Sequence, residues 1–215
     1  MLAALLALCL VPAGALAHAE IDDVVRALDQ EAALHATDPT VALQLSAARR
    51  IAGDFDGALE AAAHAEAHGA SPREVTLARA DFFMAAGWLR SARRHLERVL
   101  DADPDDADAR FRRARVLMRQ GEPAAAARDY ARALAAAPHP RPGHFMEHRD
   151  ALVAAGDPDG ALAALDAGVA RLGPIVSLQI PAAVLALDLG RPDDAIGRID
   201  GLLARTPDNP LLLAR

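Results

Sequence analysis

The sequence predicts an all-α protein built from about five helical hairpins, and three observations support this prediction. Glycines recur at intervals of 34, 34, 35 and 34 residues, at Gly53, Gly87, Gly121, Gly156 and Gly190. Each glycine is followed five residues later by an alanine, at Ala58, Ala92, Ala126, Ala161 and Ala195. The composition is 53% apolar but only 3% aromatic, and small apolar residues favour helices and close helix contacts over sheets.

The third repeat shows the features of a helix–turn–helix unit. The stretch ADARFRRARVLMRQ (107–120) has helical length and composition, and Gly121 permits the turn that ends it. A second helix starts near Pro123, because proline is tolerated in a first turn, and ends before Pro138. Ala126 lies where the two helices would cross closely, so a larger side chain would push them apart. Prolines stand at similar places in the other repeats, at Pro72, Pro104, Pro174 and Pro207.

With these features the chain resembles the tetratricopeptide repeat family, in which each repeat of about 34 residues is a pair of antiparallel helices. The resemblance covers residues 39–209. It implies a right-handed α-solenoid of about five repeats, preceded by an N-terminal capping helix. The repeats run over residues 39–72, 73–106, 107–140, 142–175 and 176–209.

The chain departs from the family pattern at two kinds of position. The family has an aromatic residue near the start of each first helix. This chain keeps it in the fourth repeat, as Phe145, and replaces it in the other repeats by Ala42, Thr76, Arg110 and Gln179. The small residue four positions later is retained at Ser46, Ala80, Ala114 and Ala183. In the fourth repeat it becomes Arg149, and that repeat also has Gly168 inside its second helix. We therefore expect irregular packing in the fourth repeat.

The segment 1–19, MLAALLALCLVPAGALAHA, predicts a secretory signal peptide. An apolar run from Leu2 is followed by a small-residue pattern at which cleavage would follow Ala17 or Ala19. The run is shorter than the roughly 20 apolar residues of a membrane span. We therefore expect no membrane span after cleavage, and a periplasmic or secreted location in a bacterium. Cleavage would also remove Cys9, the only cysteine, which excludes disulfides and thiol catalysis from the mature chain.

Two segments flank the predicted array. Residues 20–38 predict a single capping helix, and residues 210–215 predict the start of a further helix or a tail. Helical repeat arrays normally need a polar cap over their last exposed face. One alternative function is therefore a structural subunit whose terminal repeat, near Leu211–Leu213, stacks on another chain.

The acidic stretch DADPDDADARFRR (101–113) begins like a calcium loop, because aspartates alternate from Asp101 onward. The EF-hand template also needs glycine at position 6 and glutamate at position 12, where this chain has Asp106 and Arg112. In the repeat register, the stretch instead connects two helices. The second helix of one repeat ends before Pro104, and the first helix of the next repeat begins at the aspartates that follow. Acidic residues are favoured there by the exposed amides and the helix dipole. We interpret the stretch as a helix-capping turn.

Composition and motifs argue against catalysis and against nucleic-acid binding. The net charge of −7 does not support a general nucleic-acid-binding role. The sequence has no glycine-rich phosphate loop, no HExxH motif and no serine in a nucleophile-elbow pattern. Acid pairs such as Asp22-Asp23 lie at helix starts, where capping explains them. We predict no enzymatic activity, no catalytic residues and no cofactor.

The resemblance to tetratricopeptide repeat proteins implies a concave groove, lined by the first helices of successive repeats, that holds a protein or peptide partner. Carrying the family's groove positions onto this chain gives Arg50, Leu77, Asp81, Met84, Phe111, Arg112, Arg115, Met118, Arg119, Met146 and Asp150. The fifth repeat contributes Ile180, Val184 and Leu187. We therefore predict a partner site along these helices.

Arg112, Arg115 and Arg119 lie at i, i+3 and i+7 and so form one stripe of the third repeat. Arginine beside methionine and phenylalanine would give an adaptable surface with an anchor for carboxylates. The alternative is a solvated, arginine-rich helix face balanced by the aspartates upstream. Family members that bind chaperone tails use a carboxylate clamp that includes asparagines. The only asparagine here is Asn209, outside those positions, so that clamp is absent.

Two histidine pairs leave a further alternative open. His64 and His68, like His144 and His148, lie at i, i+4, a spacing that can chelate a transition metal. Zinc sites normally have three or four protein ligands, so we expect surface histidines and no metal site. The sequence thus predicts an exported, non-catalytic scaffold that binds a protein or peptide partner in its groove. A histidine-dependent envelope metal-binding protein is the weaker alternative.

Overall fold

The computed structural model describes residues 13–204, which form eleven α-helices and no strand. In chain order these are α1 (Ala13–Leu34), α2 (Pro39–Ala52), α3 (Phe55–Ala67), α4 (Pro72–Ala85), α5 (Leu89–Ala102), α6 (Ala107–Arg119), α7 (Pro123–Ala136), α8 (Pro142–Ala154), α9 (Pro158–Leu172), α10 (Val176–Asp188) and α11 (Pro192–Leu203). The chain divides into two compact units, Met1–Val99 and Leu100–Arg215. The predicted all-α class is confirmed.

Both ends of the chain carry predictions that the structure does not reach. Most of the predicted signal peptide, residues 1–12, and the predicted tail, residues 210–215, lie outside the described residues. None of the described helices is both long enough and apolar enough to span a bilayer.

The repeating glycines have the same backbone conformation, and the repeating alanines the same burial, in every hairpin. The five glycines have positive φ angles between 71° and 83°, a backbone region in which a residue with a Cβ atom is strained. The five alanines that follow them are between 0% and 3% exposed. The predicted hairpin mechanics are therefore confirmed, since each glycine ends a first helix and each alanine lets the second helix pack closely.

In the first unit, Arg49 of α2 joins three helices. Its Nη2 donates to Asp29 Oδ1 of α1 at 2.8 Å, and its Nη1 donates to the Gly57 carbonyl of α3 at 3.3 Å. Ser46 Oγ of α2 donates to the carbonyl of Ala58, the buried alanine of this hairpin, at 2.7 Å. α4 then packs against both α2 and α3. The first unit is thus held by polar contacts as well as by small apolar side chains.

In the second unit, the acidic stretch 101–113 covers the end of α5, the turn at residues 103–106 and the first half of α6. Asp106 Oδ1 accepts a hydrogen bond from the Ala109 amide at 2.9 Å and caps the helix. Asp103 Oδ1 accepts from the Asp105 amide at 3.0 Å. These bonds satisfy backbone amides that a helix start leaves open, and they confirm the helix-capping interpretation.

Arg110, which replaces the family's aromatic residue, is buried against the second helix of its hairpin. Its Nη1 donates to Asp129 Oδ1 of α7 at 3.2 Å, and its Nε donates to the Pro104 carbonyl at 2.8 Å. Arg113 makes two further bonds to the same carboxylate, at 2.6 and 2.8 Å. The side chains of Arg110 and Asp129 are 6% and 7% exposed. A buried ion pair therefore joins α6 to α7, and loss of either partner would leave the other charge uncompensated.

One core runs through the helices of the second unit. Tyr130, Leu165 and Leu178 are fully buried within it. Arg171, at the end of α9, donates to the backbone carbonyl of Leu134 at 2.6 Å and to that of Ala137. These bonds occupy carbonyls that the end of α7 leaves open, so they seal the edge of the core.

Gly168 marks a close contact in the fourth repeat. A Cβ atom added to Gly168 would lie 2.8 Å from Phe145 Cγ and 3.0 Å from Leu178 Cδ1. Neither distance leaves room for a methyl group. The helix α9 therefore approaches α8 and α10 more closely than an alanine would allow.

We expect Gly168→Ala to destabilise the protein by about 1–3 kcal/mol, because overpacking outweighs the better helix propensity of alanine. The matched change Gly197→Ala is made in α11, where, among residues 13–204 and apart from the helix itself, nothing lies within 4 Å of the added Cβ. It should instead stabilise by up to about 1 kcal/mol. Urea unfolding measures both free energies. Equal stability of the two variants would contradict the close contact at Gly168.

Candidate partner-binding groove

The predicted groove residues of the first unit differ in exposure. Leu77 of α4 is only 5% exposed and belongs to the core, so its side chain does not present a surface to a partner. Arg50 at the end of α2 is half-buried, as are Asp81 and Met84 of α4. Three of the four predicted residues therefore keep some accessible surface.

In the second unit, Phe111 of α6 is 4% exposed and is part of the core. Arg112 and Met118 are half-buried, and Arg119 is exposed. Arg112 Nη1 also donates to the Asp108 carbonyl one turn earlier, at 3.3 Å. The phenylalanine of the predicted surface thus serves packing, while the methionine and arginines remain at the surface.

Arg115, in the middle of the predicted arginine stripe, binds a neighbouring helix. Its Nε and Nη2 donate to the two carboxylate oxygens of Glu147 in α8, at 2.8 and 3.1 Å. Such bidentate pairs are strong and directional. Burial, followed by the nearby Glu147 carboxylate, raises the pKa of Tyr130 above its usual value. The arginine that the sequence offers as a carboxylate anchor therefore already holds a carboxylate of its own chain.

The predicted residues of α8 are covered in part by Arg149. Met146 is half-buried and packs against the core. Asp150 is exposed, and its Oδ1 lies 3.1 Å from Arg149 Nε. Arg149 Nη2 also lies 3.8 Å from Met146 Sδ. The arginine that replaces the family's small residue thus contacts both predicted groove residues.

An apolar groove lies between α10 and α11, and we call it the α10–α11 groove. Its volume is about 590 Å³, within the range of ligand and peptide pockets. It is lined by Ile180, Ala183, Val184, Leu187, Ala195, Ile196, Ile199 and Asp200. Val184, Leu187 and Ile196 are 52%, 54% and 57% exposed, whereas apolar side chains of this size are commonly buried.

One wall and the floor of the α10–α11 groove follow from residue spacing and size. Ile180, Val184 and Leu187 lie at i, i+4 and i+7 and so share one face of α10. They are the groove positions predicted for the fifth repeat. Between the helices, Ala183 and Ala195 are 4% and 3% exposed. Their small side chains give the groove its depth.

The opposite wall comes from α11 and lies outside the groove positions predicted from the sequence. Ile196 and Ile199 lie at i, i+3 on α11. This spacing, which places both side chains on one helix face, is the sequence feature from which the wall could have been predicted. Arg198 fixes the helix, because its Nη1 donates to Asp166 of α9 at 2.6 Å and its Nε donates to Asp194 at 2.9 Å. The bond to Asp166 is the main cause of a raised pKa for Arg198. Both walls are thus held in place by the fold.

The two histidine pairs have different surroundings. His64 and His68 stack with 4.1 Å between ring centroids, and His68 Nδ1 lies 2.9 Å from the His64 carbonyl oxygen. His144 stacks on Phe111 at 3.9 Å, and burial lowers the pKa of His144 and of His148. Among the described residues, no group of three or more His, Cys, Asp or Glu side chains is arranged to hold a metal ion.

His95 of α5 is strongly perturbed. Burial, followed by the charges of Arg98, Arg79 and Arg94, lowers the pKa of His95 to about 4. Arg98 Nη2 donates to the imidazole ring and lies 3.2 Å from its Nε2, which is consistent with a neutral acceptor. The ring also stacks on Phe83 of α4 at 4.9 Å. His95 is therefore a neutral, packed side chain at pH 7.

Comparison with known families agrees with the repeat structure. A family model described as tetratricopeptide repeat matches residues 77–139 and 149–210, which together are more than half of the chain. The protein therefore belongs to the tetratricopeptide repeat family. No curated protein matches the sequence.

Several solved structures share this fold at low sequence identity. PilW, a widely conserved type IV pilus biogenesis factor, is 18% identical with a TM-score of 0.67, over 90% of this chain and 89% of PilW. MamA is 19% identical with a TM-score of 0.60, over 77% of this chain and 90% of MamA. YrrB, a TPR protein with an unusual peptide-binding site, is 16% identical with a TM-score of 0.56, over 88% of this chain and 97% of YrrB. These similarities show the fold, a helical solenoid.

We expect Arg115→Glu to destabilise the protein by about 1 kcal/mol, because it sets two carboxylates against each other between α6 and α8. The charge exchange Arg115→Glu with Glu147→Arg should recover most of this loss. Urea unfolding of wild type, both single variants and the exchange gives the coupling free energy. Absence of coupling would show that the Arg115–Glu147 pair does not contribute to stability.

We expect acid to destabilise the protein through His95. Its pKa of about 4 in the folded chain lies below the ordinary value of 6.5, so the unfolded chain takes up a proton first. The stability contributed by neutral His95 is present above pH 6.5 and is lost as the pH falls from 6.5 to 4.

The variant His95→Gln should remove this part of the pH dependence, while His139→Gln, a change at an exposed histidine, serves as the control. An NMR titration of the imidazole measures the pKa directly. A folded-state pKa near 6.5 for His95 would refute the expectation.

Proposed function

We propose that this protein is an exported, non-catalytic adaptor that binds a protein partner, and that the α10–α11 groove is part of its partner site. The partner would contribute an amphipathic helix or an extended peptide with bulky apolar side chains. The observation that carries the proposal is the set of exposed apolar side chains on both walls of the groove, at Val184, Leu187 and Ile196.

The physical chemistry of the groove favours such a partner. Covering these side chains removes apolar surface from water, a gain of about 25 cal/mol per Å². Because the walls are fixed by packing and by Arg198, a partner would not have to order them on binding. Asp200 is exposed at the rim, where a polar group can orient a ligand that is otherwise held by apolar contacts.

The solved relatives support a binding role without naming the partner. YrrB is described as having an unusual peptide-binding site, and PilW is described as a pilus biogenesis factor. Only the mode of action is carried to this chain, as non-covalent binding of a protein or peptide. The sequence lacks the phosphate-loop, HExxH and nucleophile-elbow motifs that would support an enzymatic role.

The export part of the proposal rests on the N-terminal sequence. Mass spectrometry of the protein from its native bacterium should find a mature chain that begins at His18 or Glu20, after cleavage at Ala17 or Ala19. A chain that retains residues 1–19 would refute export by this signal.

The alternative occupant of the groove is a neighbouring subunit that stacks on the last described hairpin. α8 packs against α7, and α10 packs against α9. A further helix following this rule would pack against α11. The α10–α11 groove therefore has the position of a repeat-to-repeat contact, which favours the structural-subunit alternative in the same place.

Site-specific crosslinking distinguishes these occupants. A photo-crosslinking amino acid is placed at Leu187 in the groove, or at Ile51 as a control. Ile51 is 61% exposed at the end of α2, so both sites replace an exposed apolar residue. We expect a crosslink to another protein from Leu187 and none from Ile51, and we expect Val184→Glu to abolish it.

The other outcomes separate the alternatives. A crosslink from Leu187 to a second copy of the chain would support the structural subunit. A crosslink to residues 205–215 of the same chain would show that the groove is closed internally, and would contradict both functions.

A further inference from the structure

The first unit carries an exposed aromatic stack that the proposed function does not use. Trp88, in the turn between α4 and α5, stacks on Phe83 with 5.9 Å between ring centroids, and Phe83 stacks on His95 at 4.9 Å. Phe82 is buried and meets Trp88 edge-on at 6.2 Å. Trp88 itself is still 60% exposed. The indole is therefore held in one orientation by its neighbours while its surface remains accessible.

A row of arginines runs along α5 from the same turn. Arg90, Arg94 and Arg98 lie at i, i+4 and i+8 and are all exposed, so they share one side of the helix. Arg94 Nη2 donates to Ser91 Oγ at 3.3 Å, and Arg98 donates to the His95 ring. Both acceptors are neutral. Within the part of the chain that the structure describes, none of the three arginines has a carboxylate partner.

Several other arginines of the first unit are paired with carboxylates. These pairs include Arg49–Asp29, Arg79–Glu66 and Arg93–Glu97. Like charges one helical turn apart repel, so the row on α5 carries an unfavourable interaction that the others do not. The chain as a whole has a net charge of −7, so the positive row on α5 is opposite in sign to the charge of the whole protein. A bound anion would relieve the repulsion.

We propose that Trp88, Arg94 and Arg98 form a binding site for an acidic peptide segment of a partner protein. Two carboxylates of the segment bind the two guanidinium groups, and one bulky apolar side chain packs on the Trp88 indole. Guanidinium groups bind carboxylates through paired hydrogen bonds. Tryptophan and arginine are also among the residue types enriched at the energetic hot spots of protein interfaces.

The arrangement of the site supports a peptide ligand. Arg94 and Arg98 are one turn apart, about 6 Å along the helix, which is close to the spacing of alternate side chains of an extended peptide. Because Phe83 and Phe82 already fix the indole, little side-chain freedom is lost at Trp88 on binding. A nucleic acid also carries anions, but it carries many more charges than a short peptide with two carboxylates, so the net charge of −7 repels it more strongly over long range. An acidic peptide with an apolar side chain matches both the arginines and the indole of the site.

Tryptophan fluorescence tests the site directly, because Trp88 is the only tryptophan of the chain. The probe is a short acetylated and amidated peptide, Glu-Ser-Glu-Ser-Leu, in which both glutamates and the leucine lie on one side of the extended chain. The comparison peptide has glutamine in place of each glutamate. We expect a saturable change in Trp88 emission with the acidic peptide only. We also expect the affinity to fall as salt is raised, because exposed charges are screened.

The chain supplies a matched control for the arginines. Arg128 and Arg132 of α7 stand 34 residues after Arg94 and Arg98 and are also exposed, but Glu122 occupies the position that corresponds to Trp88. The double change Arg94→Glu with Arg98→Glu should weaken binding at least about tenfold, as expected for loss of two charge-assisted contacts. The same changes at Arg128 and Arg132 should leave binding unchanged. Circular dichroism verifies that both variants are folded.

Four results would overturn the proposal. These are the absence of a saturable change, equal binding of the glutamine peptide, equal loss of binding in both double variants, and tighter binding of an oligothymidylate than of the acidic peptide. Crosslinking at Leu187 in the α10–α11 groove uses none of these residues. Failure of this proposal and failure of the proposed function are therefore distinguishable.

Discussion

The repeat depends on the close approach of two helices at a buried alanine. In each hairpin, a glycine with positive φ ends the first helix, and the alanine five residues later is at most 3% exposed. A larger side chain at that point would separate the helices, and other contacts between them would be lost. At Ala58 the approach is close enough for Ser46 Oγ of the first helix to bond the alanine's carbonyl at 2.7 Å. The remaining packing is arranged around this contact.

Because this contact involves only one methyl group and the backbone, the residue type at other positions of the repeat can vary. Arg110 stands where the family has an aromatic residue, and it is accommodated because Asp129 and the Pro104 carbonyl satisfy its guanidinium group. Arg149 replaces a small residue and turns toward Asp150. Gly168 removes a side chain where Phe145 fills the space. The fourth repeat is thus irregular in its side chains, while the glycine and alanine contact of its hairpin is unchanged.

The features that were predictable from sequence are local in the chain. The turn glycines, the buried alanines and the cap at Asp106 each depend on residues within a few positions, so spacing and residue type identify them. The accessibility of the site is a tertiary property. Leu77 and Phe111 occupy groove positions of the family, yet both are buried, because the size of neighbouring side chains decides how far each helix face is covered. Arg115 pairs with a residue 32 positions away, and no local pattern indicates that bond.

The two proposed surfaces differ in chemistry because the repeat pattern fixes the alanines at the floor of the α10–α11 groove but not the exposed side chains of its walls or of the turn at Trp88. The α10–α11 groove is apolar, so its contribution to binding comes from water release and responds little to salt. The surface at Trp88 combines a fixed indole with unneutralised arginines, so its contribution is partly electrostatic and is screened by salt. The two surfaces select different segments, because the carboxylates that bind the arginines beside Trp88 find no cationic partner among the residues that line the α10–α11 groove, where the charged residue is Asp200. Specificity is a difference between affinities, and two surfaces of different chemistry allow one adaptor to hold two different segments without competition between them.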